Sequence, residues 1–192
     1  MEKISDHISL AEATRTSTGK DNTPQPHQLE LMKALAVKIF EPLRKAMGGK
    51  PIRINSFFRS KEVNIAIGGA HRIVDGKYVA TSQHCKGMAM DLDGISCTNA
   101  EMFFYILDNL DFDQLIWEKG DKDNPDWIHV SYKGKKNRKN VLIYNGRSYR
   151  NYSDGDLNRP KKKAAPKKET PKAAVKKATK SAAKKAAPKK KK

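Results

Sequence analysis

The sequence predicts an α+β protein with a mainly antiparallel sheet flanked by helices, followed by a disordered basic C-terminal tail. Three observations carry this expectation. One segment repeats its apolar residues at helical spacing for about five turns. Several short segments read as strands, two pairs of them joined by Asp-Gly or Asn-Gly. The composition changes abruptly at Lys161. A chain of 192 residues accommodates one domain with an appendage, divided here into a body over 1–160 and a tail over 161–192.

Pro24 and Pro26 break the chain and open the long helix. Leu29, Met32, Leu35, Ala36, Ile39, Phe40, Leu43 and Met47 recur at steps of three and four, and Gly48-Gly49 ends the run. This helix is core scaffold. Pro51 to Phe58 mostly alternates and predicts a strand. Ser60 caps a short helix over 61–67, stopped by Gly68-Gly69. Arg72 to Val79 turns at Asp75-Gly76 and predicts a hairpin standing just ahead of the first motif described below. Met88 to Leu92 predicts a strand with Asp91 and Asp93 on one face. Thr98-Asn99-Ala100-Glu101 is a capping box that opens a helix carrying Met102, Phe103, Ile106 and Leu107. Gln114 to Trp117 and Trp127 to Ser131 predict two more strands. Val141 to Tyr144, Asn145-Gly146 and Arg147 to Tyr149 predict a last hairpin.

The tail holds fifteen lysines and one acid, Glu169, which puts +14 of the chain's +18 there and leaves +4 on residues 1–160. It has no aromatic residue and a single Val, so it cannot bury enough apolar surface to offset the entropy of ordering. A segment of this kind binds polyanions through counterion release without reading sequence. DNA, teichoic acid and lipopolysaccharide remain open as its ligand. Met1 to His7 has no apolar core of the ~7–15 residues a signal peptide needs. No run approaches the ~18 apolar residues of a membrane span. Synthesis in the cytoplasm is the expectation, with the protein acting as a monomer after release. Cys85 and Cys97 do not make a disulfide framework.

Chemistry concentrates in two places. One is Ser82-Gln83-His84-Cys85-Lys86-Gly87-Met88-Ala89-Met90-Asp91-Leu92-Asp93, the other Asp126-Trp127-Ile128-His129. A catalytic zinc takes three nitrogen or oxygen ligands and keeps one position open for water. A turn at Lys86-Gly87 would let the segments carrying His84 and Asp91 approach one ion, with His129 arriving from a neighbouring strand. On spacing alone His-x6-Asp is a common pattern, and a histidine taken singly is more often an ordinary surface or hydrogen-bonded residue.

The pattern S-x-H-x-x-G-x-A-x-D, with an acid three residues before the later His129, resembles the M15 zinc peptidases. These include the D-alanyl-D-alanine carboxypeptidases and the L-alanyl-D-glutamate endopeptidases of phage endolysins. Ser56-Phe57-Phe58-Arg59-Ser60 is similar to the family's S-x-x-R-S segment. The resemblance spans roughly residues 3–145. It implies Zn2+ held by His84, Asp91 and His129, with Asp126 as general base. It also implies that Arg59 stabilises charge on the substrate carbonyl or binds a substrate carboxylate. Many carboxypeptidases of the family carry Glu where this chain has Asp126, and some endolysin members carry Asp. Asp reaches about one methylene less far, so the water must sit closer to the backbone. Glu118 is the runner-up as base, against its plainer reading as an exposed acid at a strand end.

Ser82 is expected to hydrogen-bond near the site. Asp93 either supports a ligand histidine or is a solvated acid, and His7, His27 and His71 match no ligand pattern. The implied activity is hydrolysis of peptidoglycan stem peptides, at D-Ala-D-Ala or at L-Ala-D-Glu, by a phage-type lysin acting on the cell wall. The alternative is a non-catalytic, zinc-stabilised module that binds cell wall or nucleic acid.

Overall fold

The computed structural model describes residues 2–161. The disorder and polyanion binding expected of the tail concern, Lys161 apart, residues outside them. The N-terminus makes two very short strands, β1 (Lys3–Ser5) and β2 (Ile8–Ser9), and a one-turn helix, α1 (Leu10–Ala13), capped by the Ser9 hydroxyl. Two or three residues are too few for a period to show, so the sequence pattern is silent here. The long helix runs as α2 (Pro26–Leu35), a π-helical segment (Ala36–Phe40) and α3 (Glu41–Ala46). Pro42 offers no N–H to the carbonyl four residues back, and its ring crowds that carbonyl. A widened turn just ahead of it is the local accommodation.

The remaining elements follow the expected order. They are β3 (Ile52–Ser56), α4 (Lys61–Ala66), the hairpin β4 (His71–Val74) and β5 (Lys77–Ala80), and β6 (Ala89–Gly94). Next come α5 (Asn99–Asn109), β7 (Gln114–Glu118), β8 (Trp127–Ser131), β9 (Asn140–Tyr144) and β10 (Tyr149–Asn151). The cap on α4 is the Ser60 hydroxyl, and α5 opens with the reciprocal Thr98–Glu101 box. The last hairpin turns over four residues rather than two. The Asn145 side chain accepts from the Arg147 and Ser148 amides and closes it.

Six strands form one sheet in the order β10-β9-β7-β8-β6-β3. Its neighbours are antiparallel except β7 and β9, which run parallel, so the sheet is mixed but mainly antiparallel. Strand alternation assigns its two faces opposite tasks. Met90 and Leu92, Ile128 and Val130, and Leu115 and Trp117 join Met32, Leu35, Ile39 and Leu43 of the long helix and Phe103 and Ile106 of α5 in the core. Asp91, His129, Ile116 and Glu118, at the alternate positions, line a cleft. Among the described residues no helix is long and apolar enough to cross a membrane.

A candidate metal centre in the cleft

His84 sits on a 3₁₀ turn (His84–Lys86), not on a strand, and Gly87 closes the turn in the left-handed region at φ +71°. A side chain at Gly87 would be strained there. Its Cβ would also stand 2.7 Å from the Gln28 carbonyl oxygen and 2.9 Å from Met32 Cγ. Glycine therefore lets this turn press against α2, where Gln28 Nε2 donates to the Cys85 carbonyl. Cys85, the next residue on the turn, is half-buried, and burial pushes its thiol up.

Asp91 on β6 and His129 on β8 lie directly opposite each other in the antiparallel register, so both side chains leave the same face. Together with His84 they form a buried trio. Asp91 Oδ1 is 3.0 Å from His129 Nδ1 and 3.3 Å from His84 Nε2, and the two nitrogens are 3.3 Å apart. Bonds of about 2.0–2.1 Å from a tetrahedral zinc to N and O donors imply donor separations of roughly 3.3–3.4 Å. The three atoms already stand close to the edges of such a tetrahedron, so these residues fit the metal.

The surroundings orient each donor. His84 Nδ1 donates to the Phe57 carbonyl at 2.7 Å, which leaves the Nε2 lone pair facing the trio. Burial lowers the His84 pKa against the opposing pull of Asp91, favouring the neutral imidazole that a metal requires. Burial pushes the Asp91 carboxyl up, but the pull of His84 and His129 beside it outweighs this. The group is held well below the usual carboxylate range. Its second oxygen accepts from Arg59 Nη2 at 2.7 Å, and Arg59 Nε donates to the Ser56 hydroxyl at 2.8 Å. Ser56 is opposite Asp91 across a register irregularity in β3.

The cleft measures about 660 Å³ and is lined by Arg59, His84, Asp91 and His129, with Glu118, Trp127, Tyr144 and Tyr149 toward one side. Glu118 is only 7% exposed. Burial, with Asp91 adding its negative charge, pushes its carboxyl up to about 7, against the pull of His129, Lys119 and Arg59. Ile116 pairs with His129 and Glu118 with Trp127, which makes Glu118 the diagonal neighbour of His129 on the cleft face.

Asp126 lies elsewhere. It precedes β8 and is exposed, and it does not line the cleft. Its amide donates to the Glu118 carbonyl, and its own carbonyl accepts from the buried Asn99 side chain. The fold brings together His84, Asp91, His129, Arg59 and Glu118 and leaves Asp126 outside. Ser82 is buried and lines the cleft. Asp93 pairs with Arg53 and accepts from Asn99, with no hydrogen bond to His84 or His129. His7, His27 and His71 are exposed. His7 pairs with Glu41, and His71 stacks on Tyr78.

Spacing gave no hint of Asp113, which is fully buried. It accepts from Gln83 Nε2, beside His84, and from both Nε and Nη2 of Arg138. Tyr144, Tyr149 and Trp127 were readable only as strand residues. A parity argument could have placed them. They share the alternate positions with Glu118 and His129.

No curated protein matches the chain. A family model described as Peptidase M15 matches residues 6–131, a span that contains the whole trio together with Arg59 and Glu118. This chain belongs to the peptidase M15 family.

Proposed function

We propose that this protein is a zinc-dependent peptidase that hydrolyses peptide bonds of peptidoglycan stem peptides. The observation that carries the reading is the trio of His84 Nε2, Asp91 Oδ1 and His129 Nδ1, spaced as three corners of a zinc tetrahedron with a cleft alongside. Zinc held there would polarise the scissile carbonyl and bring the pKa of an attacking water toward ~7. The chain's own residues supply the rest. Glu118 takes the proton of the water and passes it to the leaving amine, a role that wants a carboxyl poised near neutrality. Its buried position on the cleft face supports Glu118 for this role in place of Asp126. Arg59 secures the outer oxygen of Asp91, so that the inner oxygen stays with the trio. It also keeps a permanent cation where negative charge develops. The Phe57 carbonyl fixes the tautomer of His84.

The substrate class follows the family resemblance, with either D-Ala-D-Ala or L-Ala-D-Glu as the bond cut. A lysin-type action on the cell wall, as a monomer held near its substrate by a polyanion-binding tail, goes with this reading. Incubating the zinc-loaded chain with purified muropeptides, with and without chelator, tests it by mass spectrometry. The expected result is zinc-dependent release of D-Ala or of the L-Ala-linked fragment. Intact muropeptides after prolonged incubation with zinc-loaded protein would refute it.

A further inference from the structure

One row of residues crosses four strands at the end of the cleft. Trp127 on β8 is in register with Glu118 on β7, Glu118 with Tyr144 on β9, and Tyr144 with Tyr149 on β10. All four line the cleft, and β10 is the edge of the sheet. The buried acid therefore stands in a row with three aromatic rings. The rings are differently engaged. Lys119 Nζ stands over Trp127, 5.2 Å from the ring centre. Tyr144 and Tyr149 stack on each other, with centroids 4.4 Å apart and planes 27° from parallel. Tyr149 is nevertheless 57% exposed. A ring held in place by a stack and still more than half open is a preformed platform for a flat, partly apolar partner.

We propose that the Tyr144–Tyr149 pair binds the sugar ring to which the stem peptide is attached. The inference rests on the peptidase reading above and extends its substrate from the peptide to the glycan. A pyranose with equatorial polar groups turns axial C–H bonds to its two faces, which suits the negative face of an aromatic ring. Scale supports the assignment. Strands are about 4.8 Å apart, so Tyr144 and Tyr149 stand about 5 and 10 Å from Glu118, on the side away from Asp91 and His129. With the reacting carbonyl beside Glu118, the alanine and lactyl arm of an L-Ala-D-Glu bond, at most ~3.6 Å each, carry the sugar about 7 Å, to the tyrosine pair. From a D-Ala-D-Ala bond four residues and the arm intervene, roughly 18 Å, which overshoots β10. The aromatic pair thus ties the cut to the bond nearest the glycan.

The test uses the full zinc-loaded chain and two matched pairs of ligands. N-acetylmuramoyl-L-alanine and lactoyl-L-alanine have no bond to cut, and their affinities are measured by ligand-observed NMR titration. Stem pentapeptides carrying the same two caps are followed by mass spectrometry for rate and for the bond cleaved. Wild type is expected to favour the sugar-bearing member of each pair about three- to tenfold, the scale of one good aromatic stack, and to cut at L-Ala-D-Glu. Tyr149→Ala should bring the ratio close to one by weakening the sugar-bearing ligand. Tyr149→Phe should retain the preference, since it keeps the ring. No gain in affinity from the sugar, an undiminished preference in a folded Tyr149→Ala, or a cut confined to D-Ala-D-Ala overturns the sugar subsite. Loss of the preference in Tyr149→Phe overturns the stacking that the subsite rests on. Sugar-selective binding that depends on Tyr149, with neither pentapeptide cleaved, would support the subsite and sink the peptidase reading alone.

Discussion

Replacing Glu118 with Gln separates proton transfer from metal binding and has a stability signature of its own. Gln keeps the size of the side chain but can neither accept the water's proton nor carry charge. In the metal-free fold the Glu118 carboxyl is pushed from its ordinary 4.5 up to about 7. Each unit is worth about 1.4 kcal/mol, so ionised Glu118 opposes folding by about 3 kcal/mol once the pH exceeds both values. The sign follows from proton uptake. Between about 4.5 and 7 the folded state holds the proton that the unfolded state has lost, so raising the pH costs stability. Glu118→Gln should therefore stabilise the metal-free protein by up to about 3 kcal/mol at pH 8, and the gain should vanish below pH ~4.5. Urea unfolding across that range measures it. The same variant should retain zinc and lose about 10²–10⁴-fold in hydrolysis, the usual contribution of a general base. Asp126→Asn, a change at an exposed position, should stay within about 0.5 kcal/mol of wild type and turn over normally. Near-normal turnover by Glu118→Gln, or a loss of two orders of magnitude in Asp126→Asn, would refute the assignment. A stability difference independent of pH would refute the electrostatic argument behind it.

Four further outcomes are expected, three from the geometry and one from the charge of the tail. His84→Ala removes one of three donors, and elemental analysis after dialysis should find well below the one zinc per chain expected of wild type. Gly87→Ala forces a Cβ against Gln28 and Met32 at positive φ, and should cost about 2 kcal/mol in urea unfolding and weaken zinc retention through the displaced His84 turn. Asp113→Asn breaks the charged fork with Arg138 and the bond from Gln83, and should cost about 2–3 kcal/mol at pH 7. Hydrogen bonds from Arg138 and Gln83 outweigh burial and hold the Asp113 carboxyl below its ordinary value. That stability is present above about 3.8 and fades as the pH falls further, so the variant and wild type should converge in acid unfolding. Truncation after Pro160 should leave hydrolysis of small soluble muropeptides intact while weakening binding to DNA or anionic wall polymer. The wild-type binding it removes should fall steeply with added salt.

The grouping of His84, Asp91 and His129 was legible in the sequence because family resemblance, not spacing, singled out the three. Local signals carried much of the fold. The Thr98–Glu101 box, the Ser60 cap, the Asp75-Gly76 turn and the apolar period of the long helix act over four residues or a few turns. Each reappears where the chain predicts it. What stayed out of reach depended on contacts between distant residues. The parallel pairing of β7 with β9 is a choice of neighbour that no local pattern encodes. The π-helical segment is a separate case: its cause, Pro42, is local, but the apolar period runs through it unchanged.

The decisive case is the pair of acids. Sequence distance from His129 favours Asp126, three residues away, over Glu118, eleven away. Register reverses this. Pairing Ile116 with His129 carries Glu118 onto the cleft face, while Asp126 falls before the strand begins and turns to solvent. By itself the sequence determined which donors this protein has and most of the elements that carry them. Only the tertiary structure decided which acid stands beside those donors, because neighbourhood across a sheet is set by strand register and by the two faces of the pleat, and neither follows from distance along the chain.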